Sequence, residues 1–165
     1  MKTFLAVFFG ILAAALIILL VVAYFVGGRL KQEQMAQFRA FDIQEAQAHL
    51  RTINVACTTY RSTYEKGFPE KLADLGSTQC QAFSGPHCAG LIDEVLASGS
   101  ISGYNIIYKP TRLGRSGLVK GYQVWASPQK AAKPPLRSFY VDQTGVIRFT
   151  DEGRPASEND PPLGD

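Results

Sequence analysis

The chain has 165 residues and a mass of 18.0 kDa, with 46% hydrophobic residues, 19% charged residues and a formal net charge of +3. That is one ordinary domain with a short addition, which excludes a large multidomain enzyme. A mean hydropathy of −0.01 excludes both a wholly disordered chain and a polytopic membrane protein, and three Cys are too few for a disulfide-built miniature fold.

Apolar residues concentrate at the start. Phe4–Val26 is a run of 23 residues without charge, Pro, Asn or Gln. As a helix it reaches about 35 Å at roughly 1.5 Å per residue, enough to cross a hydrocarbon core about 30 Å thick. It is longer than the apolar stretch of about 7–15 residues in a cleaved signal peptide, while Val26-Gly27-Gly28 supplies the small residues that cleavage needs. The expectation is an uncleaved single-pass signal anchor over residues 1–28. Lys2 precedes the run and Arg29, Lys31 and Arg39 follow it, so charge bias leaves the orientation open. The short N-terminus and the cysteine pattern point to a C-terminal domain on the outer, periplasmic side of an inner membrane.

Gly27-Gly28 reads as a flexible joint. Residues 29–66 read as one long amphipathic helix, with Phe38, Phe41, Ala46, Leu50, Ile53, Cys57, Tyr60 and Tyr64 on a single apolar stripe. Gly67 is the expected left-handed cap, and Pro69 follows. A short helical turn over 69–76, a loop over 77–90 and a short helix over Leu91–Ala97 come next. Strands are expected over Tyr104–Tyr108, stopping at Pro110, and over Tyr122–Ala126, stopping at Pro128. Phe139–Val141 and Val146–Phe149 flank Asp142-Gln143-Thr144-Gly145 as a hairpin. The last fifteen residues hold three Pro, five acids and one Arg, the composition of a disordered acidic tail. Helices first and strands afterwards give an α+β domain over 29–150, a long helix packed on a small antiparallel sheet.

This plan resembles the type IV pilin and type II secretion pseudopilin superfamily. The resemblance rests on Leu50-Arg51-Thr52-Ile53-Asn54 with Thr59-Tyr60, Phe68 to Gly76, Gly90 to Gly99, Ser102-Gly103-Tyr104, and Phe139 to Arg148, and it covers about residues 45–150. It implies a pilin-like fold, an extracytoplasmic domain and a non-catalytic structural or assembly role in or beside a pilus or secretion system. The implied partners are the inner membrane and other pilin-like or assembly proteins. Polymerising members begin with a basic leader, a Gly cleavage site, then Phe and, four residues on, a Glu inside the apolar run. Here no Gly precedes Phe4 and no acid occurs before Glu33, so an unprocessed anchor is expected in place of an ordinary fibre subunit.

Cys80 and Cys88 close a short Gly/Pro-containing loop, and the resemblance implies a cysteine pair here; a disulfide between them is worth about 2–3 kcal/mol. The competing metal site of Cys80, His87 and Cys88 lacks a fourth ligand nearby. Cys57 and His49 read as packed helix residues. Asp142, Asp151 and Glu152 are the acids that a calcium ion would draw on, and a turn and a tail make a poor scaffold for one. Arg112–Gly117 lacks the phosphate-loop spacing, and no nucleophile motif occurs, so neither a cofactor nor catalysis is expected. Between Glu94 and Asp142 lie seven basic residues and no acid: Lys109, Arg112, Arg115, Lys120, Lys130, Lys133 and Arg137. They read either as solvated strand-edge charge or as an anion-binding face for DNA or acidic polysaccharide, with Tyr104, Tyr108, Tyr122 and Trp125 offering stacking surfaces.

Overall fold

A computed structural model describes residues 2–77, 85–101, 103–112, 118–129 and 136–164, with side chains from Leu16 onward except that of Arg112. The chain divides into two units, Met1–Ala40 and Phe41–Asp165, a boundary later than the Gly27-Gly28 joint. One helix, α1 (Lys2–Tyr64), contributes to both.

In the first unit α1 runs through Gly27 and Gly28 without a break. Among the described residues nothing lies within 4 Å of where either glycine would carry a Cβ, so their small size serves no contact there. The side chains of Leu16–Val26 are exposed, Leu19 at 69% and Tyr24 at 81%. Among the described residues no helix is long and apolar enough to cross a membrane. The side chains of residues 4–15, the first half of the uncharged run, lie outside the described residues.

In the second unit the last turns of α1 bury Ala46, Leu50, Ile53, Cys57 and Tyr60 in the core, as the period of three and four predicts. Phe41 is a correction to the single stripe, because it is 63% exposed. At about 100° per residue, nine positions carry it roughly 180° round from Leu50, to the opposite face of the helix. Phe38, in the first unit, is also exposed. The left-handed residue after α1 is Glu65 (φ 54°), while Gly67 (φ 86°) has a second duty. A Cβ at Gly67 would lie 2.2 Å from the Val119 carbonyl oxygen, where the chain runs beside a strand and the Phe68 N–H donates to that same oxygen at 2.9 Å.

A 3-10 turn (Leu72–Leu75) and a single helical turn, α2 (Glu94–Ala97), follow. The second is shorter than expected because the Asp93 carboxylate accepts the Leu96 N–H at 2.9 Å and so fixes the start. The sheet is an antiparallel meander in the order β1 (Ser100–Ile101), β2 (Tyr104–Arg112), β3 (Val119–Pro128), β4 (Ser138–Asp142), β5 (Arg148–Thr150). β2 runs past Pro110, contrary to the expected stop. Pro110 pairs with Tyr122 on one side, while β1 reaches only Tyr104 and Asn105 on the other, so the missing N–H costs no ladder bond. Tyr104, Ile106, Tyr122, Val124, Ala126, Phe139 and Val141 form the sheet's inner face against the α1 stripe.

The C-terminal residues differ from the expected disordered tail. Ala156 is 2% exposed and Asp160 7%. The Leu163 N–H donates to Ile147 O at 2.7 Å, the Phe149 N–H donates to Pro161 O at 3.2 Å, and Arg148 and Pro162 form an antiparallel bridge. Composition predicts solvation only where no edge is offered; here β5 offers one.

Candidate functional site

Packing α1 on β2 and β3 places polar groups inside the core, and each finds a partner. Asn54 donates from Nδ2 to the Tyr122 hydroxyl at 2.6 Å and to the Asp142 carbonyl at 3.3 Å, which ties the helix to the β4–β5 turn. The Tyr108 hydroxyl donates to Pro69 O at 2.7 Å, and the Tyr60 hydroxyl to Pro86 O at 2.8 Å. Tyr108 and Tyr122 stack with centroids 5.7 Å apart, and Phe68 meets the Tyr122 ring edge-on at 5.0 Å. Among the described residues no buried side-chain nitrogen or oxygen lacks a partner.

Cys57 sits inside this seam, fully buried and free. Burial pushes its thiol up to about 12, outweighing the Tyr108 and Tyr122 hydroxyls that would favour the thiolate. A nucleophilic or metal-binding cysteine needs the opposite shift. The tyrosines are moved the same way: burial lifts Tyr104 to about 12, and lifts Tyr108 and Tyr122 further. The chemistry of the seam is therefore to stay neutral and hold the helix on the sheet.

Of the seven basic residues, the structure places three. Lys109 lies exposed on the outer sheet face with its ammonium 5.1 Å from the Trp125 ring centroid. Trp125 stands across from Ile107 on one side and Tyr140 on the other, its ring 5.6 Å from the Tyr140 ring. Lys120 is exposed near Arg61 and Glu65, at the end of α1. Arg137 is taken: its Nε and Nη2 both donate to Asp151 at 2.9 Å, its guanidinium sits 4.0 Å over the Phe149 ring, and Asp151 is held below the usual carboxylate range by that bond. The side chain of Arg112, and Arg115, Lys130 and Lys133, lie outside the described residues. Tyr104, Tyr108 and Tyr122, the other expected stacking surfaces, face the core.

Cys88 is disulfide-bonded, and Cys80 lies outside the described residues. His87 is exposed, with Nδ1 3.6 Å from Oδ1 of the buried Asp74. The three acids considered for calcium are engaged separately. Asp142 caps its own turn through the Thr144 N–H at 2.8 Å, Asp151 holds Arg137, and Glu152 accepts from Arg154 Nε at 2.7 Å. Among the described residues no group of three His, Cys, Asp or Glu is placed to hold a metal ion.

Sequence reasoning missed the Asn54–Tyr122–Asp142 tie and the Arg154–Asp160 pair. Arg154 had a signal, being the one base among the tail's five acids. Comparisons with family models, with curated proteins and with solved structures find no match to this chain.

Proposed function

We propose that this chain is a membrane-anchored, pilin-like structural protein, held in an inner membrane by its N-terminal helix and displaying its α+β unit on the periplasmic side. It serves a pilus or type II secretion-like assembly through protein contacts and without catalysis. One observation carries the proposal: an uninterrupted helix, Lys2–Tyr64, begins in a 23-residue uncharged run and ends as the apolar spine of an antiparallel sheet domain. Apolar residues such as Leu19 and Phe25, exposed within the chain, are accounted for by lipid, which accepts a helix because its backbone bonds close internally. A tether also raises the effective concentration of the domain near membrane-bound partners.

The test is fractionation of the full chain in a bacterial host, followed by protease treatment of spheroplasts and an intact mass. The expected result is an alkali-resistant membrane protein with an unprocessed N-terminus, whose residues beyond about 40 are digested from the periplasmic side. Recovery in the soluble fraction, or protection of the sheet domain until the membrane is lysed, defeats the proposal.

A second reading, a tethered module for anionic polymers, is favoured by Lys109 over Trp125 on an outer face whose strands β2 and β3 carry no acid. The Arg137–Asp151 pair weighs against it. Salt-dependent retention of DNA or acidic polysaccharide, lost in Lys109→Ala, separates the two.

A further inference from the structure

Side chains alternate along a strand, so Asn105, Ile107 and Lys109 of β2 and Gln123, Trp125 and Ser127 of β3 stand on the sheet face opposite the core. All six are exposed or half-buried. Trp125 is the aromatic surface that this face leaves open. Tyr140, its neighbour across β4, is 2% exposed, and Tyr104, Tyr108 and Tyr122 belong to the core.

Charge on the two sides of Trp125 differs in sign. On the β2 side the Lys109 ammonium lies 5.1 Å from the Trp125 ring centroid, and neither β2 nor β3 brings an acid. On the β4 side stand Asp142 and Glu158. One Asp142 oxygen accepts the Thr144 N–H at 2.8 Å and its hydroxyl at 2.6 Å, and the other accepts the Tyr140 hydroxyl at 3.4 Å. Glu158 acts on that same hydroxyl through space. An anion is therefore drawn to the β2 side of the ring and turned away from the β4 side.

The electron-rich face of an indole attracts C–H groups as well as cations. A uronate sugar carries both an apolar C–H face and a carboxylate on one ring, so a single unit covers Trp125 and offers Lys109 a charge-assisted bond in place of the ring. Its hydroxyls meet the amides of Asn105 and Gln123 and the Ser127 hydroxyl. A nucleic acid strand gains instead from successive aromatic platforms, and this face has one.

We propose that the outer face of β2 and β3 binds an acidic polysaccharide, with a uronate ring stacked on Trp125 and its carboxylate on Lys109. This rests on the reading of the chain as a tethered module for anionic polymers and narrows the ligand to one class.

Trp125 is the only tryptophan in the chain, so intrinsic fluorescence of the full chain in detergent micelles reports this face. Polygalacturonate is expected to give a saturable change that weakens with added salt. Lys109→Ala is expected to weaken that binding about tenfold or more, while Lys120→Ala, close to Arg61 and Glu65, leaves it unchanged. Neutral dextran is expected to give no change, and single-stranded oligothymidylate to bind at least about tenfold more weakly than polygalacturonate. Oligothymidylate binding as tightly overturns the sugar assignment and leaves the anionic-polymer module standing. Dextran binding as tightly, unchanged binding in Lys109→Ala, or an equal loss in Lys120→Ala overturns the joint role of ring and ammonium. Polygalacturonate that sediments with the protein but leaves Trp125 emission unmoved has its site elsewhere and overturns the proposal. Retention of neither anionic polymer defeats the module itself.

Discussion

Leu19 and Leu50 stand on the same helix and differ in what they meet: Leu19 is 69% exposed and Leu50 is fully buried. Both are apolar and both favour leaving water. Around Leu50 the sheet supplies Tyr122, Val124 and Val141 as a core, whereas Leu19 belongs to a unit with no strand in it. The comparison teaches that apolarity fixes the tendency to be buried, and that fold topology decides whether the chain itself provides the cover.

The sharpest way to break this comparison is truncation at both places. Leu50→Ala is expected to cost about 2–5 kcal/mol through lost transfer and a cavity. Leu19→Ala is expected to leave the unfolding of the sheet domain unchanged. Denaturant titration of the full chain in micelles, read by near-ultraviolet dichroism, checks both, and equal effects would erase the distinction.

Alkaline pH tests the polar seam next. Tyr104 is held up at about 12 by burial, and Tyr108 and Tyr122 are raised further, against about 10 in an unfolded chain. Folded-state values above the unfolded ones mean that this stability is whole below pH about 10 and is lost as pH rises through the folded values. The melting temperature of the sheet domain should therefore fall steeply above about pH 10. Over the same range Cys57 should resist alkylation until the domain opens, because burial also holds its thiol at about 12. Rapid alkylation of native protein at pH 8 would contradict a sealed seam.

A smaller effect is expected from Asn54→Ala, about 1–3 kcal/mol, since it leaves the Tyr122 hydroxyl and the Asp142 carbonyl short of a donor. The double variant with Tyr122→Phe should recover part of that loss, as a double-mutant cycle would reveal. Smallest is Gly28→Ala. With nothing within 4 Å, it should add about 1 kcal/mol or less of local helix stability and leave the melting of residues 41–165 unmoved. A loss of helicity in the dichroism spectrum would instead show that the glycine pair performs a task alanine cannot.

Much of this unit was legible in the sequence, for local reasons. The spacing of Leu50, Ile53, Cys57 and Tyr60 predicts the buried stripe because a helix repeats every 3.6 residues. The β4–β5 turn is legible in Asp142 and Gly145, whose carboxylate and positive φ the turn requires. Phe41 misled because it stands five residues before Ala46, a step of about 500° that leaves it roughly 140° off the stripe that the spacings of three and four keep together. Pro110 misled because its cost depends on whether a neighbouring strand needs its N–H, and β1 is too short to need it. Of the basic residues, the sequence shows their number but not that Arg137 spends its charge on Asp151.

By itself the sequence determined the uncharged leading run, the helix-then-strand order and the apolar periods, because these depend on residues within a few positions of one another. Only the tertiary structure decided that the acidic C-terminus packs on β5 and that Asn54 reaches Tyr122 sixty-eight residues away. Those outcomes depend on sheet register and on which distant groups it brings within bonding distance, and no local propensity encodes either.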